Sequence, residues 1–226
     1  MTRTEELIDT LVESAAPVQR LRPPLVRAAL WLAFAAALVA LIAAGHGGIR
    51  PGFLVQLQQP AFAVTTGAAL ATAILSAITA FAVSIPGRSR WWLALPLPAL
   101  TVWMSTIGYG CFADWVSLGP DGFRVSAEMP CAALLVMTSI PLAIVLAAML
   151  RYAATLRPGA VAVTGGLAIA SIVAAALPLF HDHDATVLIL VWNVGTAVLI
   201  TGLAGLFGRR LFGWMAARLL APNATG

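Results

Sequence analysis

Two cysteines and three histidines are the residues of this 226-residue sequence best suited to redox or soft-metal chemistry. Cys111 stands in GYGCFADWVSLGP and Cys131 in AEMPCAALL, with residues 112–130 between them. In an oxidising compartment two such thiols can form a disulfide that ties their segments together. Thiols that never meet act instead as small buried hydrophobes. Spacing leaves both readings open, because a bridge needs the two Cα atoms within about 7 Å. His181, Asp182, His183 and Asp184 follow in LFHDHDATVLILVWNVG, and His46 lies far upstream. Imidazole and thiolate suit zinc and other soft metals, so His46, His181 and His183 are candidate metal ligands. Positions 181 and 183 share a face only in an extended turn, and Asp184 serves equally as a helix N-cap, so capping and loop hydrogen bonding stand beside metal binding. No Walker A, zinc-protease or catalytic-triad spacing is present.

The opening stretch TRTEELIDTLVESAAPVQRLRPP carries a different chemistry. Thr2 or Thr4 can cap a helix, and Glu5 and Glu6 suit its positive first turn. Leu7, Ile8, Leu11, Val12 and Ala15 recur at helical spacing and form one apolar face, opposite Glu6, Asp9 and Glu13. Pro17 ends the run, and Pro23-Pro24 separates it from the first long apolar segment. About three turns of helix are marginal alone in water, so the segment is expected to need a partner. Helices that lie on anionic lipid are typically basic on their polar face, whereas this one is acidic. An apolar stripe flanked by carboxylates fits a groove on a basic protein, and the bland alternative is a frayed terminus without a partner.

The elements that must position these groups are hydrophobic. The chain is 61% hydrophobic and only 10% charged, against roughly 25% charged for soluble domains, and its mean hydropathy is +0.94. It reads as an all-α integral membrane protein. Runs of about twenty apolar residues, the length that crosses a hydrocarbon core of about 30 Å, are expected at 26–45, 62–84, 92–111, 131–150, 159–180 and 186–207. No small-residue cleavage site follows the first run, which is therefore expected to stay as a helix. All basic residues are Arg, and only Arg50 and Arg124 fall on the side opposite both termini, which the positive-inside rule makes cytoplasmic. Both cysteines and the His-Asp cluster then face outward. The span interiors are expected to hold no ionisable side chain, which lowers a transporter reading; Ser, Thr and Asn193 are expected to bond across helices or to their own backbone. The division is an N-terminal segment 1–25, a six-helix transmembrane domain 26–207 and a basic amphipathic tail 208–226.

Four blocks, LIDTLVESAAPVQRLRPP before the first span, SIPGRSRWW after the second, GYGCFADWVSLGP ending the third and LFHDHDATVLILVWNVG entering the sixth, carry a resemblance. Together they are similar to the NrsF-type negative regulators of extracytoplasmic-function sigma factor F, six-helix anti-sigma factors of the bacterial inner membrane. The family's usual spelling of the last block is His-Pro-His-Asp, from which Asp182 departs. The resemblance implies that segment 1–25 sequesters a sigma-F-like factor, with Leu7, Ile8, Leu11 and Val12 as the binding face and Glu6, Asp9 and Glu13 as charge partners. It also implies that Cys111 and Cys131 sense redox or heavy-metal stress, and that sensing releases the factor. No cofactor, enzymatic activity or direct nucleic-acid binding is expected; the partners are the sigma factor and the bilayer.

Two rival readings come from other classes. A small membrane thiol oxidoreductase needs a close redox pair such as Cys-x-x-Cys, and commonly a second pair, where this chain has only two distant cysteines. A substrate transporter normally needs charges in its spans. Either rival predicts that residues 2–16 can be removed without loss of activity, whereas sigma sequestration predicts the opposite.

Overall fold

The structure is a computed structural model that describes residues 2–13, 22–45, 47–118, 129–151, 157–180, 199, 202–203 and 205–207. The described elements are all helical: α1 (Thr2–Glu13), α2 (Pro24–Gly45), a single turn α3 (Phe53–Gln56), α4 (Pro60–Val83), α5 (Leu97–Leu118), α6 (Met129–Leu150) and α7 (Pro158–Ala176). Short 3-10 turns at Arg90–Ala94 and Leu177–Leu179 precede α5 and extend α7. Among the described residues three helices, Pro24–Gly45, Pro60–Val83 and Pro158–Leu179, are long and apolar enough to cross a membrane.

Local chemistry sets these boundaries. Pro60 and Pro158 occupy the first turns of α4 and α7, where a missing N–H is harmless and a fixed φ helps. After α2, Gly47 adopts φ +88°, in the left-handed region, and the Gly48 N–H turns back to the Ala43 carbonyl at 2.8 Å. That is the pattern of a glycine-terminated helix. Ser89 accepts the Trp91 N–H (3.3 Å) and starts the 3-10 turn at 90–94.

α4 is the central helix and packs most extensively on α7, then on α5 and α2, while α6 packs on α7 and α2. The main core joins Ala28, Trp31 and Ala35 of α2 with Ala73, Ala77 and Phe81 of α4, Leu142, Leu146 and Leu150 of α6, and Val161, Ala168 and Ile169 of α7. Many of these residues are small. Where lipid removes the hydrophobic drive between helices, close approach of small residues is what holds them. Three buried hydroxyls close onto their own helices: Thr72 donates to Ala68 O (2.8 Å), Thr164 to Ala160 O (2.9 Å) and Ser171 to Leu167 O (2.7 Å).

Of the six expected spans, those at 26–45, 62–84, 131–150 and 159–180 coincide with α2, α4, α6 and the α7 unit. The third is shifted: the helix runs from Leu97 to Leu118 rather than over 92–111. Pro96, which lacks an N–H, and the separate turn at 90–94 delay its start. Cys111 therefore lies two turns inside α5 rather than at its end. The sixth expected span lies outside the described residues except for a few helical positions between 199 and 207.

The connection between α2 and α4 is tied to the end of α7. Arg50 donates from Nε to the Pro178 carbonyl (2.8 Å), from its backbone N–H to the Leu179 carbonyl (3.2 Å), and from its guanidinium to Gln56. These are carbonyls that a helix C-terminus leaves without partners.

Candidate functional site

α1 forms where capping residues, early acids and an apolar stripe predict a helix, over Thr2–Glu13. Ile8 and Val12, one turn apart, are 53% and 69% exposed. Glu6, Asp9 and Glu13 are exposed as well. Leu7 and Leu11 complete the stripe by sequence position; their side chains lie outside the described residues. α1 thus presents described apolar and acidic side chains to solvent.

The root of this arm is α2. The Pro23 carbonyl accepts the Arg27 N–H at 3.1 Å, and the helix begins at Pro24, the second residue of the Pro-Pro pair. Arg27 lies in the first turn of α2, and sequence reasoning counted it among the inner-side cations while leaving the span interiors free of charge. The structure corrects this: Arg27 is 5% exposed, its guanidinium sits 5.0 Å from the centre of the Phe81 ring, and Nη2 donates to the Met149 carbonyl at the end of α6. Its Nη1 is buried without a hydrogen-bond partner among the described residues. One turn further on, the fully buried Trp31 donates from Nε1 to the Leu142 carbonyl of α6 at 3.2 Å. Position 27 does fall inside its own expected span, one turn from Trp31 on the face that also carries Ala28 and Ala35; that register was the available signal.

The remaining arginines expected near the inner ends behave differently. Arg88 and Arg90 are exposed, and the Arg88 guanidinium lies 5.8 Å from the Trp92 ring centre. Trp91 beside them is 84% exposed, and Arg151 is also exposed.

Cys111 lies on α5, and Cys131 is the third residue of α6. Their side chains lie outside the described residues, as do His46, His181 and His183 entirely. Among the described residues no three of His, Cys, Asp and Glu gather as metal ligands.

The resemblance carried by the four sequence blocks is met by the family comparison. The model of the family described as NrsF, negative regulator of sigma F, matches residues 11–214. The chain belongs to this family. No curated protein and no solved structure matches it. The NrsF match begins at Leu11, inside α1, so Leu11, Val12 and Glu13 fall within it while Glu6, Leu7, Ile8 and Asp9 precede it.

Proposed function

We propose that this NrsF-family regulator is a multi-pass anti-sigma factor of the bacterial inner membrane, with six spans and both termini in the cytoplasm. Its N-terminal segment holds an extracytoplasmic-function sigma factor of the sigma F type, and redox or heavy-metal stress at the outer cysteine pair releases it. The observation that carries the reading is the exposure of Ile8 and Val12 beside Glu6, Asp9 and Glu13, on a helix whose chain continues into the apolar bundle. Water does not favour two bare aliphatic side chains on a helix that is too short to be stable alone. A partner groove covers both and fixes the helix, while the carboxylates complement basic residues at the groove's edge.

The inner-side arginines supply a resting place for the same carboxylates. Arg88, Arg90, Arg151 and Arg157 stand near the inner ends of α4 to α7, so they compete with the sigma factor for Glu6, Asp9 and Glu13. A coupling of about 1 to 3 kcal/mol between the outer rim and the arm changes sigma affinity by about 5- to 150-fold.

The test is co-purification from solubilised membranes of cells that express the sigma factor, comparing the full chain with a deletion of residues 2–16. Recovery of a sigma factor with the full chain alone supports the reading. Recovery with both moves the binding site elsewhere, and recovery with neither rejects sequestration.

A further inference from the structure

Arg27 and Trp31 stand one turn apart on α2, and both donate to backbone carbonyls of α6, at Met149 and Leu142 respectively. The order of the pairs, 27 with 149 and 31 with 142, sets the helices antiparallel and places the arm's root beside the last turn of α6. Met149 lies among the final carbonyls of α6, which have no partner within the helix, so Arg27 satisfies a group left over by helix geometry. Leu142 immediately follows Pro141, whose missing N–H interrupts the α6 ladder. Helices bend at such positions, so Trp31 holds α6 beside its softest point.

The chemistry of Arg27 argues for more than stability. The guanidinium is enclosed by Phe81 and the end of α6, one nitrogen has no partner, and no carboxylate pairs with it among the described residues. A buried charge without a counter-ion is less stable than an apolar side chain of similar volume, and ionisable groups within spans mark function more often than they add stability. What the guanidinium supplies here is a directional attachment that a small displacement can break. Such an attachment reads the position of α6. The other end of that helix carries Cys131, about 27 Å from Met149 at 1.5 Å per residue.

We propose that Arg27 and Trp31 are positioning residues that fasten the root of the N-terminal arm to α6, so that a displacement of α6 starting near Cys131 resets the arm. The inference rests on the reading of the arm as the sigma-binding segment and of the cysteines as the sensor. It adds the route between them: α6 moves, the two side-chain donors follow or let go, and α2 carries the change through Pro23-Pro24 into α1.

The experiment uses the full-length chain in nanodiscs as wild type, Trp31→Phe with Arg27→Gln, Arg27→Lys, and Trp103→Phe. The last removes a buried tryptophan away from the seam. Hydrogen–deuterium exchange of peptides covering 24–34 is expected to rise about fivefold or more in the double variant, the low end of allosteric couplings. Peptides from α7 should keep wild-type rates, as should all peptides of Trp103→Phe. Arg27→Lys, which can still donate to a carbonyl, should recover most of the protection. Unchanged exchange at 24–34 overturns the proposal, and so does an equal rise throughout the bundle, which would make the pair a general support of the fold.

The same proteins are then loaded with the sigma factor and treated with diamide or a cadmium salt. The double variant is expected to hold the factor and to release about fivefold less of it than wild type. Release at the wild-type level overturns the transmission. If the wild type holds no sigma factor, the reading of the arm fails, while the exchange data still decide whether the seam fastens the root. Should the double variant not fold, Trp31→Phe alone carries both measurements.

Discussion

Ile8 and Val12 show how single residues divide between binding and folding. Each is more than half exposed, so replacing them should leave the bundle intact, because surface substitutions away from packed features usually change stability by no more than about 0.5 kcal/mol. Covering both in a partner groove stabilises the complex by about 3 kcal/mol or more, at roughly 1.5 kcal/mol for each aliphatic side chain. Ile8→Asp with Val12→Asp is therefore expected to weaken sigma binding by about 100-fold or more, read by titration of the purified factor, with an unchanged melting temperature. An unchanged affinity would transfer the binding role to other residues of the chain. The stripe was legible in the sequence because its period is local. Arg27 was not: its burial depends on Phe81 and Met149, from helices far along the chain, and a count of charges per side of the membrane does not reveal which guanidinium turns inward.

At the scale of helices, the contact between α6 and α7 depends on a missing side chain. A Cβ placed on Gly165 would lie 2.7 Å from Leu146 Cδ2, and both residues are buried in the core. Gly165→Ala is expected to destabilise the protein by about 1 to 3 kcal/mol through overpacking, seen as a lower melting temperature in detergent. Because the clash falls on the tip of one side chain, combining it with Leu146→Val should recover much of the loss; additive losses would show that the two sites do not meet. Helix positions were readable from hydropathy over most of the chain, since a lipid-facing helix and a packed one share the same apolar composition. The error at α5 has a local cause. The apolar run includes Trp92 to Leu95, but a 3-10 turn and Pro96 occupy that stretch, so α5 starts late and extends past Cys111 to Leu118. Periodicity could not foresee which small residue faces which, and the Gly165–Leu146 contact is of that kind.

For the molecule as a whole, the shifted α5 changes what a cysteine bridge would require. Cys111 lies seven residues before the end of α5, and Cys131 two residues after the start of α6. At 1.5 Å per residue, level helix ends would leave the two cysteines about 7.5 Å apart in height, beyond easy bridging. Closing a disulfide, or gathering both thiolates on one soft metal ion, then requires α6 to move relative to α5, and in the proposed route that motion reaches the arm through Arg27 and Trp31. Cys111→Ser with Cys131→Ser is expected to keep sigma retention at the wild-type level and to abolish release by diamide or cadmium, measured as expression of a sigma-dependent reporter. Each single substitution should do the same, since one thiol can neither bridge nor share a metal with its absent partner. Release that survives in the double variant removes the cysteines from the mechanism and leaves the His-Asp cluster at 181–184 as the next group to test. Release that survives in both single variants means that either thiol suffices, whereas release that survives in Cys111→Ser alone assigns the push on α6 to Cys131.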